Sequence, residues 1–172
     1  MRFKKPKIVE LDRIILAGLN FFGEPFTTSA EWTEENEIGR TWKRFMEYIG
    51  KDQEGMKGLF KNEVAYEVHL WNEETAARGN FDVFVGREID TPSAAPYDLL
   101  VRILPPCRYA VFTLRGDEIS SDWHRPMYLE WLPGSGYRDA YNYQFQYLDH
   151  RFKGADRLDE SELDVYIPII KK

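Results

Sequence analysis

A chain of 172 residues, 43% hydrophobic and 15% aromatic, is long enough for one folded domain with a substantial core. Its net charge of −6 repels phosphate backbones, and its single cysteine, Cys107, excludes an intrachain disulfide. No stretch approaches the roughly 18 consecutive apolar residues of a membrane span, so a soluble cytoplasmic protein is the expectation.

Arg2, Lys4, Lys5 and Lys7 form the only basic cluster. Only Phe3 interleaves them, so they read as a solvated leader rather than a nucleic-acid arm. An apolar segment from Ile8 to Phe22 follows, too short and too charged at its start for a signal peptide. After a loop rich in Thr and Glu, Ile38, Trp42, Phe45, Met46 and Ile49 recur at helical spacing. Asn36 or Thr33 can cap that helix, and Gly50 lies just past the last apolar residue. A strand is expected from Val64 to Trp71. Tyr66, Val68 and Leu70 should share one side, with Glu67, His69 and Trp71 on the other. A polar turn from Asn72 to Asn80 leads to a strand from Phe81 to Ile89. Thr91 to Pro96, with two prolines, reads as a hinge.

Beyond the hinge the order repeats. Leu99 to Leu114 is strand-like and broken at Pro105-Pro106. A helix is expected from about Ile119 to Leu132, with Ile119, Trp123, Met127 and Trp131 at four-residue steps. Pro126 must kink that helix or mark its true start. Strands near Tyr143 to Asp149 and Leu163 to Ile170 complete the pattern. Tyr66 to Trp71 echoes Tyr143 to Leu148, and Phe81 to Val85 echoes Leu163 to Ile167. Each half thus reads β-α-β-β, over residues 6–90 and 97–172. Neither half can cover a sheet alone. The expectation is an α+β fold with one antiparallel sheet, both helices on one face and a ligand groove between the halves.

The second half resembles the GyrI-like effector-binding domain, found in certain AraC- and MerR-type transcription activators and in stand-alone proteins. The residues that carry the resemblance are Tyr109-Ala110-Val111-Phe112 with Gly116, Trp131-Leu132-Pro133 with Ser135-Gly136-Tyr137, Phe145-Gln146-Tyr147, and Asp164-Val165-Tyr166-Ile167-Pro168. In the first half, Trp42, Tyr66 and Phe81-Asp82-Val83-Phe84-Val85-Gly86 fit the same domain. The resemblance implies a cavity for small aromatic, often cationic, compounds, with a strand carboxylate inside it. It also implies that the chain is the sensor half alone, without a DNA-binding domain. The position matching that carboxylate is Gln146, which can hydrogen bond but carries no charge. Neutral ligands are therefore expected unless Glu67, Glu130 or Glu24 reaches the site.

The candidate ligand-binding residues are Trp42, Tyr66, Glu67, Trp71, Tyr128, Trp131, Tyr137 and Gln146. Trp123 and Phe45 are expected in the core. His69, His124 and His150 have no metal-ligand spacing, no nucleophile elbow is present, and Cys107 reads as a structural thiol. No cofactor or metal is expected. The leading expectation is capture of a flat hydrophobic compound between aromatic rings. Its output would be sequestration, or a signal to a separate protein or a second copy, with no direct contact to nucleic acid or membrane. Two alternatives stand beside it. One is a hydrolase of strained xenobiotics, such as cyclopropane-containing natural products, using the same pocket. The other is an interaction adaptor whose groove is closed.

Overall fold

The computed structural model describes residues 4–27, 33 and 35–172. Arg2, Phe3 and residues 28–32 and 34 of the Thr- and Glu-rich loop lie outside these. Among the described residues, nine strands form one antiparallel sheet. They are β1 (Lys7–Leu11), β2 (Ile14–Gly23), β3 (Phe60–Leu70), β4 (Phe81–Ile89), β5 (Leu100–Leu104), β6 (Cys107–Arg115), β7 (Tyr137–Asp139), β8 (Tyr143–Leu148) and β9 (Glu162–Lys171). The spatial order is β1-β6-β9-β8-β3-β4-β2-β5, with β7 added beside β9.

That order is symmetric about the β8–β3 seam. Each half contributes the expected three-strand unit, β2-β4-β3 or β6-β9-β8. The apolar segment from Ile8 to Phe22 is two strands, because the chain breaks at Asp12-Arg13. Its first part, β1, crosses over to pair with β6 of the other half. In return β5, just before Pro105-Pro106, pairs with β2. Each half therefore supplies the outer strand of the other.

Helix α1 (Glu37–Lys51) is capped by Asn36, whose Oδ1 accepts from the Gly39 amide at 2.9 Å. Gly50 falls inside the helix and Asp52 is its C-cap. The segment expected as a polar turn contains a short helix, α2 (Glu73–Arg78), held by a capping box from Asn72 and Thr75 and closed by Gly79 in the left-handed region.

The second long helix starts later than its periodicity suggests. Gly116–Glu118 is a single tight turn, and the continuous helical stretch begins only at His124, with Pro126 in its first turn. Pro126 lacks an amide hydrogen and is tolerated in this first turn, where that hydrogen would have no intrahelical acceptor. Pro126–Trp131 is π-helical, with the Leu132 amide donating to the Met127 carbonyl, and Leu132–Gly134 (α3) continues it. Pro133 cannot donate the ordinary bond to Leu129, which suits the wider turn.

Side-chain parity sorts the core into three clusters. On one side of the sheet, α1 packs Phe45 against Ile15, Ala17, Val83 and Val85 of β2 and β4. On the same side, Met127 and Leu132 of the π/α3 helix pack on Ala110, Phe112, Val165 and Ile167 of β6 and β9. The other side gathers Leu16, Tyr66, Val68, Phe84, Tyr109, Tyr143 and Phe145, with Leu104 of β5 and partly buried Val9 and Leu11 of β1 closing in from opposite edges. The sheet thus curls around its own far side. There Tyr109 and Tyr143 share a buried hydroxyl–hydroxyl hydrogen bond of 2.7 Å.

The β2–β4 contact is unusually close where Gly18 faces Gly86. A Cβ at Gly18 would fall on the Val85 carbonyl oxygen, so the backbone itself occupies that space. Gly18→Ala should cost about 2 kcal/mol by overpacking, read as a fall of about 4–8 °C in the thermal midpoint.

Candidate functional site

The two helices cover β2/β4 and β6/β9 but leave the central pair, β3 and β8, uncovered. A groove of about 960 Å³ lies over that pair. Its floor is Ala65, Glu67, His69, Gln146 and Leu148. One wall is α1, through Ile38, Trp42 and Met46, and Phe26 closes the end beside it. The opposite wall is Ile119 and Trp123, with Phe152 and the turn after it.

Glu67 and Gln146 are directly opposed across β3 and β8. Their Cβ atoms must point the same way, into the groove. Glu67 is 2% exposed, and three side-chain nitrogens lie within hydrogen-bond distance of its carboxyl oxygens. Trp42 Nε1 donates to Oε2 at 2.6 Å, while His69 Nε2 at 2.7 Å and Gln146 Nε2 at 3.2 Å meet Oε1. The His69 contact is an ion pair whenever the imidazole is protonated. A buried carboxylate is tolerable only with such partners. The amide oxygen of Gln146 is buried with no partner, which leaves an acceptor on the floor.

Of the eight residues picked from sequence, the structure brings three together at the groove: Trp42, Glu67 and Gln146. Tyr66 is on the far side of the sheet, 5.5 Å from the Phe145 ring, because it alternates with Glu67. Trp71 and Tyr128 lie edge to face at 5.9 Å, with His124 stacked on Tyr128 at 4.3 Å. Trp131 packs into the second core cluster against Phe112 at 5.2 Å. Tyr137 is on β7, partly buried against the same cluster. None of these five lines the groove.

The late helix start explains part of the exchange. Periodicity placed Trp123 in the core and Trp131 at the cleft; with the helix beginning at His124, Trp123 precedes it, packs against the edge of the second core cluster and also lines the groove. The sequence reading also missed Arg87 and gave His69 no role. Both were accessible through strand alternation, since Val83, Val85 and Arg87 share the side of Glu67 and His69. A carboxylate does reach the groove, from Glu67 of the first half rather than from position 146 of the second.

Among the described residues, no three His, Cys, Asp or Glu side chains are grouped to hold a metal. Cys107 sits on β6, away from the groove, its Sγ donating to the Arg108 carbonyl at 3.2 Å. Burial pushes its thiol pKa up, opposite to what a nucleophile needs.

Three comparisons bear on this geometry. The family model described as integron-associated effector binding protein matches residues 7–169. Transcriptional regulator BrlR of Pseudomonas aeruginosa is 28% identical over 166 residues, covering 95% of this chain and 54% of its own. The chain thus spans about half the length of that relative. Among solved structures, SAV2435 bound to tetraphenylphosphonium has a TM-score of 0.69 at 10% identity, covering 97% of this chain and 94% of that one. The EcmrR C-terminal domain has a TM-score of 0.65 at 16% identity, with both chains fully covered. These two likenesses concern the fold.

Two outcomes test the site as built. Trp42→Phe removes a donor from a buried carboxylate and should cost about 1.5–3 kcal/mol in urea unfolding, far more than loss of ring volume alone. Cys107 should react with iodoacetamide more slowly in the folded protein than in urea, read by mass spectrometry.

The family model spans nearly the whole chain, and the sheet, the paired helices and the groove between them agree with it; the chain belongs to the integron-associated effector-binding protein family, a GyrI-like effector-binding domain.

Proposed function

We propose that this chain binds lipophilic aromatic cations in the groove over β3 and β8, with Glu67 as the counter-charge. The observation that carries the reading is the Glu67 carboxylate, buried on the floor of an open, largely apolar groove of about 960 Å³. A cavity of that size suits a drug-sized ligand. Trp42 and Trp123 on opposite walls offer ring faces, and the quadrupole of an indole attracts a cation further. In a low-dielectric site a single charge discriminates strongly between cationic and neutral ligands. The tetraphenylphosphonium bound to SAV2435, which has the same fold, supports this class of ligand.

The groove being open favours binding over the closed-groove adaptor. Both Glu67 oxygens are already engaged, by donors from Trp42 and Gln146 and by the His69 ring nitrogen, which favours a fixed ligand acceptor over a group freed for acid–base chemistry. Ligand capture would then be reported to a separate protein or a second copy, or would end in sequestration.

The test is a titration with tetraphenylphosphonium and with neutral triphenylphosphine oxide, followed by tryptophan fluorescence. Saturable quenching by the cation at about micromolar concentration is expected, equivalent to about −8 kcal/mol. Glu67→Gln should weaken the cation by roughly tenfold or more and leave the neutral compound unchanged. Equal binding of the cation to wild type and Glu67→Gln would remove the carboxylate from the reading.

A further inference from the structure

A second charge lies in the same groove. Arg87 of β4 faces Ala65 across the strand pair, and Val85, two residues earlier, faces Glu67. Arg87 and Glu67 are therefore diagonal neighbours on one side of the sheet, about 7–8 Å apart at the backbone. Both line the groove.

The surroundings of Arg87 leave its charge available. Its guanidinium carbon lies 5.8 Å from the centre of the Phe60 ring, which supports one side of the fork. Its Nε is buried and has no acceptor. Among the described residues Arg87 makes no ion pair; Glu63 acts on it only at longer range. Burial lowers its pKa, although a guanidinium remains charged throughout the physiological range. Other charges at the groove are differently placed. Lys153 donates Nζ to the His150 carbonyl, and Asp149 is held by Arg151 at 2.9 Å.

A buried guanidinium N–H without an acceptor is costly, and a carboxylate is its natural partner, because the two planes match for paired hydrogen bonds. We infer that the groove takes amphoteric aromatic compounds, with the cationic ring system against Glu67 and an acidic group on Arg87. The inference rests on the reading of Glu67 as the cation acceptor and adds the chemistry of the ligand's other end. A ligand of this class is neutral overall, so each of its charged ends meets an opposite charge in the groove, Glu67 at one end and half-buried Arg87 at the other.

Rhodamine B and its ethyl ester provide the test. Both carry the same cationic xanthene; only the free acid carries a carboxylate. Fluorescence anisotropy at neutral pH should show wild type binding rhodamine B roughly tenfold more tightly than the ester. Arg87→Met should abolish that preference, and the cationic ester, relieved of a like charge in the groove, should bind at least as tightly as to wild type. Arg87→Lys, which keeps the charge but not the fork, should retain part of it. Glu67→Gln should weaken both dyes. Equal binding of the two dyes by wild type would overturn the inference without any variant, even if Arg87→Met does not fold. So would a preference that survives in Arg87→Met, which would reduce Arg87 to a packing partner of Phe60. Ester binding that depends on Glu67 would then leave the cation reading standing. Binding of both dyes that ignores Glu67 would instead overturn the inference through its premise.

Discussion

The register between β3 and β8 is the constraint on which the rest depends. It sets Glu67 opposite Gln146 at the seam between the halves. Both side chains must then emerge on one side of the sheet, the side that carries the helices. A slip of one residue would send Tyr66 into the groove and Glu67 into the apolar cluster around Phe145. That cluster is mainly aliphatic and aromatic, and its buried Tyr109 and Tyr143 hydroxyls already bond each other, so the cost of burying a charge there favours the observed register.

The groove follows from where the helices can sit. Each helix needs an apolar strip of sheet, and each finds it on the two strands away from the seam: β2 and β4 for α1, β6 and β9 for the π/α3 helix. The seam strands present Glu67, His69, Gln144 and Gln146 on that side, which no apolar helix face can cover without stranding polar groups. The floor therefore stays open because it is polar. The exchange of β1 and β5 between the halves secures this arrangement, since neither half can leave the seam without tearing its outer strand from the other.

The carboxylate at the floor is held from three directions: Trp42 from α1, His69 from its own strand, and Gln146 from the other half. Helix position, strand register and the union of the halves therefore meet at one side chain. Such pre-organisation suits recognition, because the acceptor is in place before a ligand arrives. A ligand bound at that point would touch every element that fixes the seam, a natural route by which binding could tighten the domain.

Much of the fold could be read from residue order. Alternation gave the strand over Phe81–Ile89 with its bounds, the three- and four-residue spacing of Ile38, Trp42 and Phe45 gave α1, and of its two candidate caps, Asn36 and Thr33, the fold uses Asn36. These are local signals, decided by neighbours in the chain. The sequence by itself also determined that Glu67 and His69 share a side, since strand parity permits nothing else. It could not say which strand of the other half would lie against them, and so which residue supplies the carboxylate at the seam. It showed one apolar run from Ile8 to Phe22 where the fold has two strands on opposite flanks of the sheet, because pairing partners far apart in sequence leave no local trace. Four-residue spacing counted Trp131 toward the cleft, whereas the fold sets it on Phe112 and places Trp123 both against that cluster and along the groove. Which side chains face one another across the halves was decided by the tertiary structure, through the burial of three apolar clusters that no single segment could complete alone.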